Sequence, residues 1–157
     1  MSTYEVYISR SMTASQANGE RWINISGLQT MLDNLSESSI KVNVFDPGEI
    51  DIPEMYYEKR YNLCINMILK SNLLIADLSS RSGIGVGAEL MLAKQKAIPI
   101  FAVCPEHSYY RTMRTTKPNT NSEWQHPFVF GLVDKLFSDY RDCTEFSKAF
   151  FLNGGVL

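Results

Sequence analysis

Short blocks of apolar residues alternate with longer amphipathic stretches along this chain, and the spacing predicts alternating strands and helices. Residues 4–9, Ile40–Phe45, 73–78 and 98–103 read as strands, each a brief run rich in Val, Ile, Leu or Phe. Apolar positions at helical spacing predict helices from about 17 to 35, 55 to 70 and 86 to 95. Strand followed by helix, repeated, predicts an α/β fold with a parallel sheet, helices on both faces and right-handed crossovers.

The pattern weakens after Cys104. Residues 105–126 are rich in Thr, Asn, Ser, Pro and Arg, which is long for a structureless connection, so the stretch reads as a functional or disordered loop. Pro127-Phe-Val-Phe-Gly-Leu-Val133 fits either a short helix or an interface strand. Residues 135–140 read as a fifth strand and 144–152 as a closing helix. No internal repeat or low-complexity segment is visible.

The chain has 157 residues, 45% of them hydrophobic and 20% charged, which predicts one domain over 1–157 with a genuine apolar core. A net charge of -2 supplies no basic face, so a nucleic-acid polymer is not an expected partner, while free nucleotides remain open. Cys64, Cys104 and Cys143 are widely spaced and form no CxxC pair, so neither a disulfide framework nor a zinc site is expected, and a reduced, cytoplasmic protein is. No run approaches a membrane span, and Met1-Ser-Thr-Tyr-Glu-Val lacks the basic-then-apolar order of a signal segment, so a soluble protein is expected.

Chemistry concentrates in 72–93, where the apolar third strand empties through Ser79-Ser-Arg-Ser-Gly83-Ile-Gly85-Val-Gly87 into a helix with one early carboxylate, Glu89. In open α/β sheets, ligands bind outside the carboxyl ends of the strands. Glycines at alternate positions permit positive φ and leave room for a ligand against the main chain, though a simple flexible turn has the same composition. A dinucleotide fingerprint would follow the first strand rather than the third, with an acid about twenty residues on, which speaks against a nicotinamide or flavin cofactor; none is expected.

Glu89 falls in the first turns of its helix, where the macrodipole favours a carboxylate and lowers its pKa. Favourable helix charging alone would explain an acid there, but its neighbours are small or apolar, which predicts a cavity-facing side chain. Such a carboxylate can attack an anomeric carbon, because an oxocarbenium-like transition state demands adjacent negative charge and an ester divides the step in two. The first strand ends Tyr7-Ile-Ser9-Arg10-Ser11, and in the common strand order 2-1-3-4-5 it neighbours the third, so Tyr7 can orient Glu89. The alternative has Tyr7 as core and Ser9 as a polar loop residue.

Other candidates are weaker. His107 and His126 have no partnered acid motif, so surface or loop roles are expected. Arg111, Arg114 and Lys117 form a small basic cluster that fits a phosphate or plain solvated charge. Trp22, Tyr56, Tyr57 and Trp124 can stack on a base, with core or interface packing the commoner role.

Tyr7-Ile-Ser-Arg-Ser11, Ile75-Ala-Asp-Leu-Ser79 and Gly85-Val-Gly-Ala-Glu-Leu90, in that order, resemble the nucleoside 2-deoxyribosyltransferases and the related nucleoside 5'-monophosphate N-glycosidases. The resemblance extends to Phe128-Val-Phe-Gly-Leu-Val-Asp-Lys-Leu-Phe137 and Phe146-Ser-Lys-Ala-Phe-Phe151. It implies a flavodoxin-like or Rossmann-like three-layer sandwich with a five-stranded parallel sheet of order 2-1-3-4-5. It also implies Glu89 as the nucleophile of a glycosyl-enzyme ester, Tyr7 as its orienting partner, and Ser11 near the sugar or 5'-phosphate. Asp77 matches the acid that closes the third strand, in a structural or a catalytic role. A homodimer or larger homo-oligomer follows from the same resemblance, the neighbouring subunit completing the pocket through a region that holds Asn121 and Ser122.

Two departures stand out. Cys64, with Asn62 and Asn66 nearby, falls where the family has a base-contacting Asp or Asn, and Gly83, beside Ser82, falls where it has an Asp or Ser. A thiol is a poor proton donor to a leaving base, so acid assistance must come from elsewhere or the substrate must differ. The leading expectation is cleavage of an N-glycosidic bond in a nucleoside or nucleotide, with 2-deoxyribose passed to another nucleobase. Alternatives are hydrolysis of a monophosphate gripped by Arg10, Ser11 and Ser82, a TIR-type NAD glycohydrolase, and a non-catalytic nucleotide-sensing module.

Overall fold

A computed structural model of the chain describes residues 2–11, 40–117 and 120–157, with side chains at 113–117 and 120–124 outside the description. The helix expected over 17–35 lies outside the described residues, as do the side chains of Trp22, Arg114, Lys117, Asn121, Ser122 and Trp124.

Five strands form one parallel sheet: β1 (Ser2–Ser9), β2 (Ile40–Phe45), β3 (Leu73–Asp77), β4 (Ile100–Val103) and β7 (Lys135–Phe137). Their order is β2-β1-β3-β4-β7, the expected 2-1-3-4-5 once an inserted hairpin, β5 (Arg111–Lys117) and β6 (Thr120–Gln125), is passed over. The helices are α1 (Tyr57–Lys70), α2 (Ile84–Gln95), α3 (Pro127–Leu132) and α4 (Tyr140–Leu152). This is a flavodoxin-like three-layer α/β sandwich.

Alternation along each strand divides the core. Val6, Ile8, Leu73, Ile75, Phe101 and Val103 pack with Cys143, Phe150 and Phe151 of α4. Tyr7, Leu74, Ala76, Ile100 and Ala102 pack on the other face with Ile68 of α1, Val86, Leu90 and Ala93 of α2, and Val129 of α3. Being covered on both faces is why β3 is a continuous apolar run, buried at every position.

Several boundaries move for identifiable reasons. The segment expected as an irregular loop over 105–126 contains the β5–β6 hairpin. Its recurrent Thr residues favour extended backbone, but a hairpin whose strands pair with each other needs no apolar stripe to announce it. The fifth strand stops at Phe137 rather than 140, because the Asp139 carboxylate accepts the Asp142 N–H at 2.9 Å and starts α4 at Tyr140. Segment 127–133, left open between helix and strand, is helix α3.

Candidate active site

The carboxyl ends of β1 and β3 and the start of α2 meet at one place. Tyr7 and Ser9, two residues apart on β1, project to the same face, and both are completely buried. Across that face α2 lays Val86, Leu90 and Ala93 on the sheet, and Glu89, three residues beyond Val86, borders this apolar stripe. The Tyr7 hydroxyl donates to Glu89 Oε1 at 2.7 Å, and Ser9 Oγ donates to Glu89 Oε2 at 2.5 Å. Each carboxylate oxygen is therefore held by its own hydroxyl.

Burial raises the Glu89 pKa above its ordinary 4.5, outweighing the opposing hydrogen bonds from Ser9 and Tyr7. This reverses the expected dipole-driven lowering: Glu89 is on the second turn of α2, past the reach of the helix terminus, and desolvation dominates. Burial first, then the Glu89 charge, drives the Tyr7 phenol far upward, so it remains a hydrogen-bond donor at any working pH. Cys64, on α1, interacts with the Tyr7 hydroxyl, and burial raises its thiol too, against the opposing influence of that hydrogen bond and of Arg60.

The loop glycines act differently from the expectation. Positive φ is confined, among described glycines, to Gly154 and Gly155 at the end of α4, so Gly83, Gly85 and Gly87 do not use it. Gly83 is the extended N-cap of α2, while Gly85 and Gly87 lie in its first turns. A Cβ at any of the three would meet open space, so they leave the main chain accessible. Ser82 donates its N–H to the Tyr110 hydroxyl at 2.9 Å, and its Oγ lies 3.4 Å from the Asp77 carbonyl oxygen.

Asp77 and Arg10 are each engaged by a partner other than Glu89. By strand alternation Asp77 belongs with Leu73 and Ile75 on the α4 face, opposite Glu89; its carboxylate accepts from Ser79 N at 2.9 Å and from Ser79 Oγ at 2.5 Å. These contacts close the turn after β3. Arg10 is a forked partner of buried Asp46, with Nε to Oδ1 at 3.0 Å and Nη2 to Oδ2 at 2.9 Å, so its charge is compensated by that carboxylate. Ser11 follows directly on this clamp and is partly buried.

His107 is exposed, and His126 packs edge-on against Tyr110, 5.6 Å between ring centroids. Tyr56 and Tyr57 are exposed and therefore not core. Arg111 Nη1 donates to the Cys104 carbonyl at 3.1 Å and Nη2 stands 3.7 Å from Glu106, so it ties the hairpin to β4. Among the described residues, no group of three or more His, Cys, Asp or Glu is placed to hold a metal ion, and no helix is long and apolar enough to cross a membrane.

Sequence reasoning missed Asp46, Gly48 and Tyr110. Asp46-Pro-Gly48 is a turn signal, and it opens a 3-10 turn over Pro47–Glu49 whose Gly48 N–H donates to Asp46 Oδ1 at 2.9 Å. Tyr110 carries no local signal at all, since its partner lies 28 positions earlier.

No protein-family model matches this chain, and no curated protein does. Among solved structures, it is similar to a 2-desoxiribosyltransferase from Leishmania mexicana over 93% of this chain and 97% of that one, with a TM-score of 0.63 and 16% identity. It is also similar to BcmB, a CMP N-glycosidase of Clostridium botulinum, over 93% and 98% of the two chains, with a TM-score of 0.54 and 13% identity. At such identities the likeness establishes a shared fold.

Proposed function

We propose that this protein is an enzyme that cleaves the N-glycosidic bond of a nucleoside or nucleotide by double displacement at Glu89. The observation that carries the reading is the pair of hydroxyls, Tyr7 and Ser9, each fixed on a separate oxygen of one partly buried carboxylate at the carboxyl edge of the sheet. Two donors aim the carboxylate and keep it from rotating, while its burial sharpens the attraction to a developing oxocarbenium ion. A Glu89 oxygen bonds to the anomeric carbon as the bond to the base nitrogen breaks. An acceptor then attacks the same carbon from the opposite face and frees the carboxylate.

With a second nucleobase as acceptor the reaction transfers 2-deoxyribose, which is the reading we favour; with water it is a hydrolysis. The likeness to a transferase and to a nucleotide N-glycosidase supports both arms. A homodimer or larger homo-oligomer belongs to the same proposal, and exposed Tyr57, Ile84 and Phe128 offer apolar contact surface for it. Light scattering on the purified protein measures that state.

The test is mass spectrometry of the protein mixed with nucleosides and monophosphates. A sugar adduct on the Glu89 peptide supports the mechanism, and base exchange with an added free base distinguishes transfer from hydrolysis. Base release by Glu89→Gln at the wild-type rate refutes it.

A further inference from the structure

Glu89 is a partly buried, desolvated carboxylate with no countercharge among the described residues. Its hydrogen-bond partners are two neutral hydroxyls, and no ion pair among the described residues includes it. Described cations near this edge have other partners: Arg10 is clamped on Asp46, Arg60 donates Nη1 to the Ile52 carbonyl at 2.5 Å, its charge being felt at Cys64, and Arg81 lies over the Tyr109 ring, 5.5 Å from its centroid. A desolvated anion held only by neutral hydroxyls gains when a positive group sits against it.

The same cluster is poor in proton donors. Burial raises both the Tyr7 phenol and the Cys64 thiol, so neither yields a proton readily to a departing base near neutral pH. A neutral nucleoside asks for such a proton. A nucleoside whose base is already cationic at the glycosidic ring does not.

We propose that the preferred substrates are N-glycosides with a cationic leaving base, either a pyridinium or an N7-alkylated purinium, bound with their positive charge against Glu89. This rests on the reading of Glu89 as nucleophile and narrows its substrate class. A Glu89 oxygen forms the ester bond to the anomeric carbon, and the carbon–nitrogen bond breaks with its electron pair going to the ring nitrogen. That pair cancels the ring's charge, so the base leaves neutral with no proton transferred. In the second half the acceptor, a nucleobase nitrogen or water oxygen, bonds to the anomeric carbon, the carboxylate departs and the acceptor's displaced proton passes to solvent.

The test has two parts. Turnover is measured on nicotinamide riboside, on 7-methylguanosine and its 2'-deoxy form, and on the unmethylated guanine nucleosides, each rate divided by the spontaneous rate in the same buffer. Expected is release of nicotinamide or 7-methylguanine, with neutral nucleosides slower by roughly a hundredfold, the scale of missing acid assistance. The nicotinamide and methylguanine arms identify which cation is used.

Binding is measured with uncleavable carbocyclic nucleosides carrying either a pyridinium or a neutral dihydropyridine ring. The cation should bind at least about tenfold tighter to wild type, and Glu89→Gln should erase the difference. Comparable turnover of neutral nucleosides through a Glu89 ester, or a cation preference that survives Glu89→Gln, overturns this inference while leaving the nucleophile in place. Absence of both base release and ester with every substrate overturns the nucleophile as well.

Discussion

Tyr7 and Glu89 lie 82 residues apart in the chain and 2.7 Å apart in space, oxygen to oxygen, the phenol donating to the carboxylate. The contact joins the first strand of the sheet to the second turn of α2. It ties the carboxylate to a residue that otherwise belongs to the core, where Tyr7 stacks on Phe45 at 5.6 Å between centroids.

Removing that donor separates orientation from packing. Tyr7→Phe keeps the ring and loses one hydrogen bond to a charged group, a loss of about 1.5–3 kcal/mol in the step where the charge matters. Base release should fall by about ten- to a hundredfold. The apparent pKa of the acid limb should rise, because a hydrogen bond that lowers the Glu89 pKa is gone. Ser9→Ala should move both quantities the same way, and pH–rate profiles of the two variants measure this; an unchanged acid limb in both would remove the orienting role.

Glu89 should make the protein less stable as its carboxylate ionises. Its folded pKa is raised above the unfolded value, so between the two the folded state binds the extra proton, and its contribution to stability is full below the unfolded pKa. That contribution is lost as pH rises through the folded pKa. Glu89→Gln, neutral throughout, should therefore melt higher than wild type at neutral pH, the gap closing toward pH 4, while activity is abolished. Thermal melts of both proteins across that range check the sign.

Arg10 and Asp46 test whether the end of β1 is tethered. A Cβ on Gly48 would lie 2.1 Å from Arg10 Nη2, so Gly48→Ala must push the guanidinium off its forked contact. Arg10→Met goes further and leaves the buried Asp46 carboxylate without its countercharge, held among the described residues only by the Gly48 N–H, at a cost of about 3–5 kcal/mol. Urea unfolding should rank wild type above Gly48→Ala, and Gly48→Ala above Arg10→Met. Equal midpoints for all three would mean that the pair contributes nothing.

Tyr110→Phe should loosen the loop before α2. It deletes the acceptor of the Ser82 N–H and should cost about 1 kcal/mol. Hydrogen exchange at the Ser82 amide should speed up, with the acid limb of the pH–rate profile left where it was. Protection of that amide equal to wild type would show that another group holds the loop.

The sequence alone determined the architecture, because strand and helix periods are local quantities: a fully buried strand such as β3 must be apolar throughout, and an amphipathic helix must repeat its apolar face. It also singled out Glu89, Tyr7 and Ser9, since the carboxyl edge of a parallel sheet is set by strand direction. Only the tertiary structure decided what depends on distance between remote segments. It gave Arg10 to Asp46, seated Ser82 on Tyr110, folded the stretch after Ser108 into a hairpin, and reversed the direction of the Glu89 pKa shift. Desolvation and ion pairing arise from whatever the whole chain packs around a group, and no local pattern of residues encodes that.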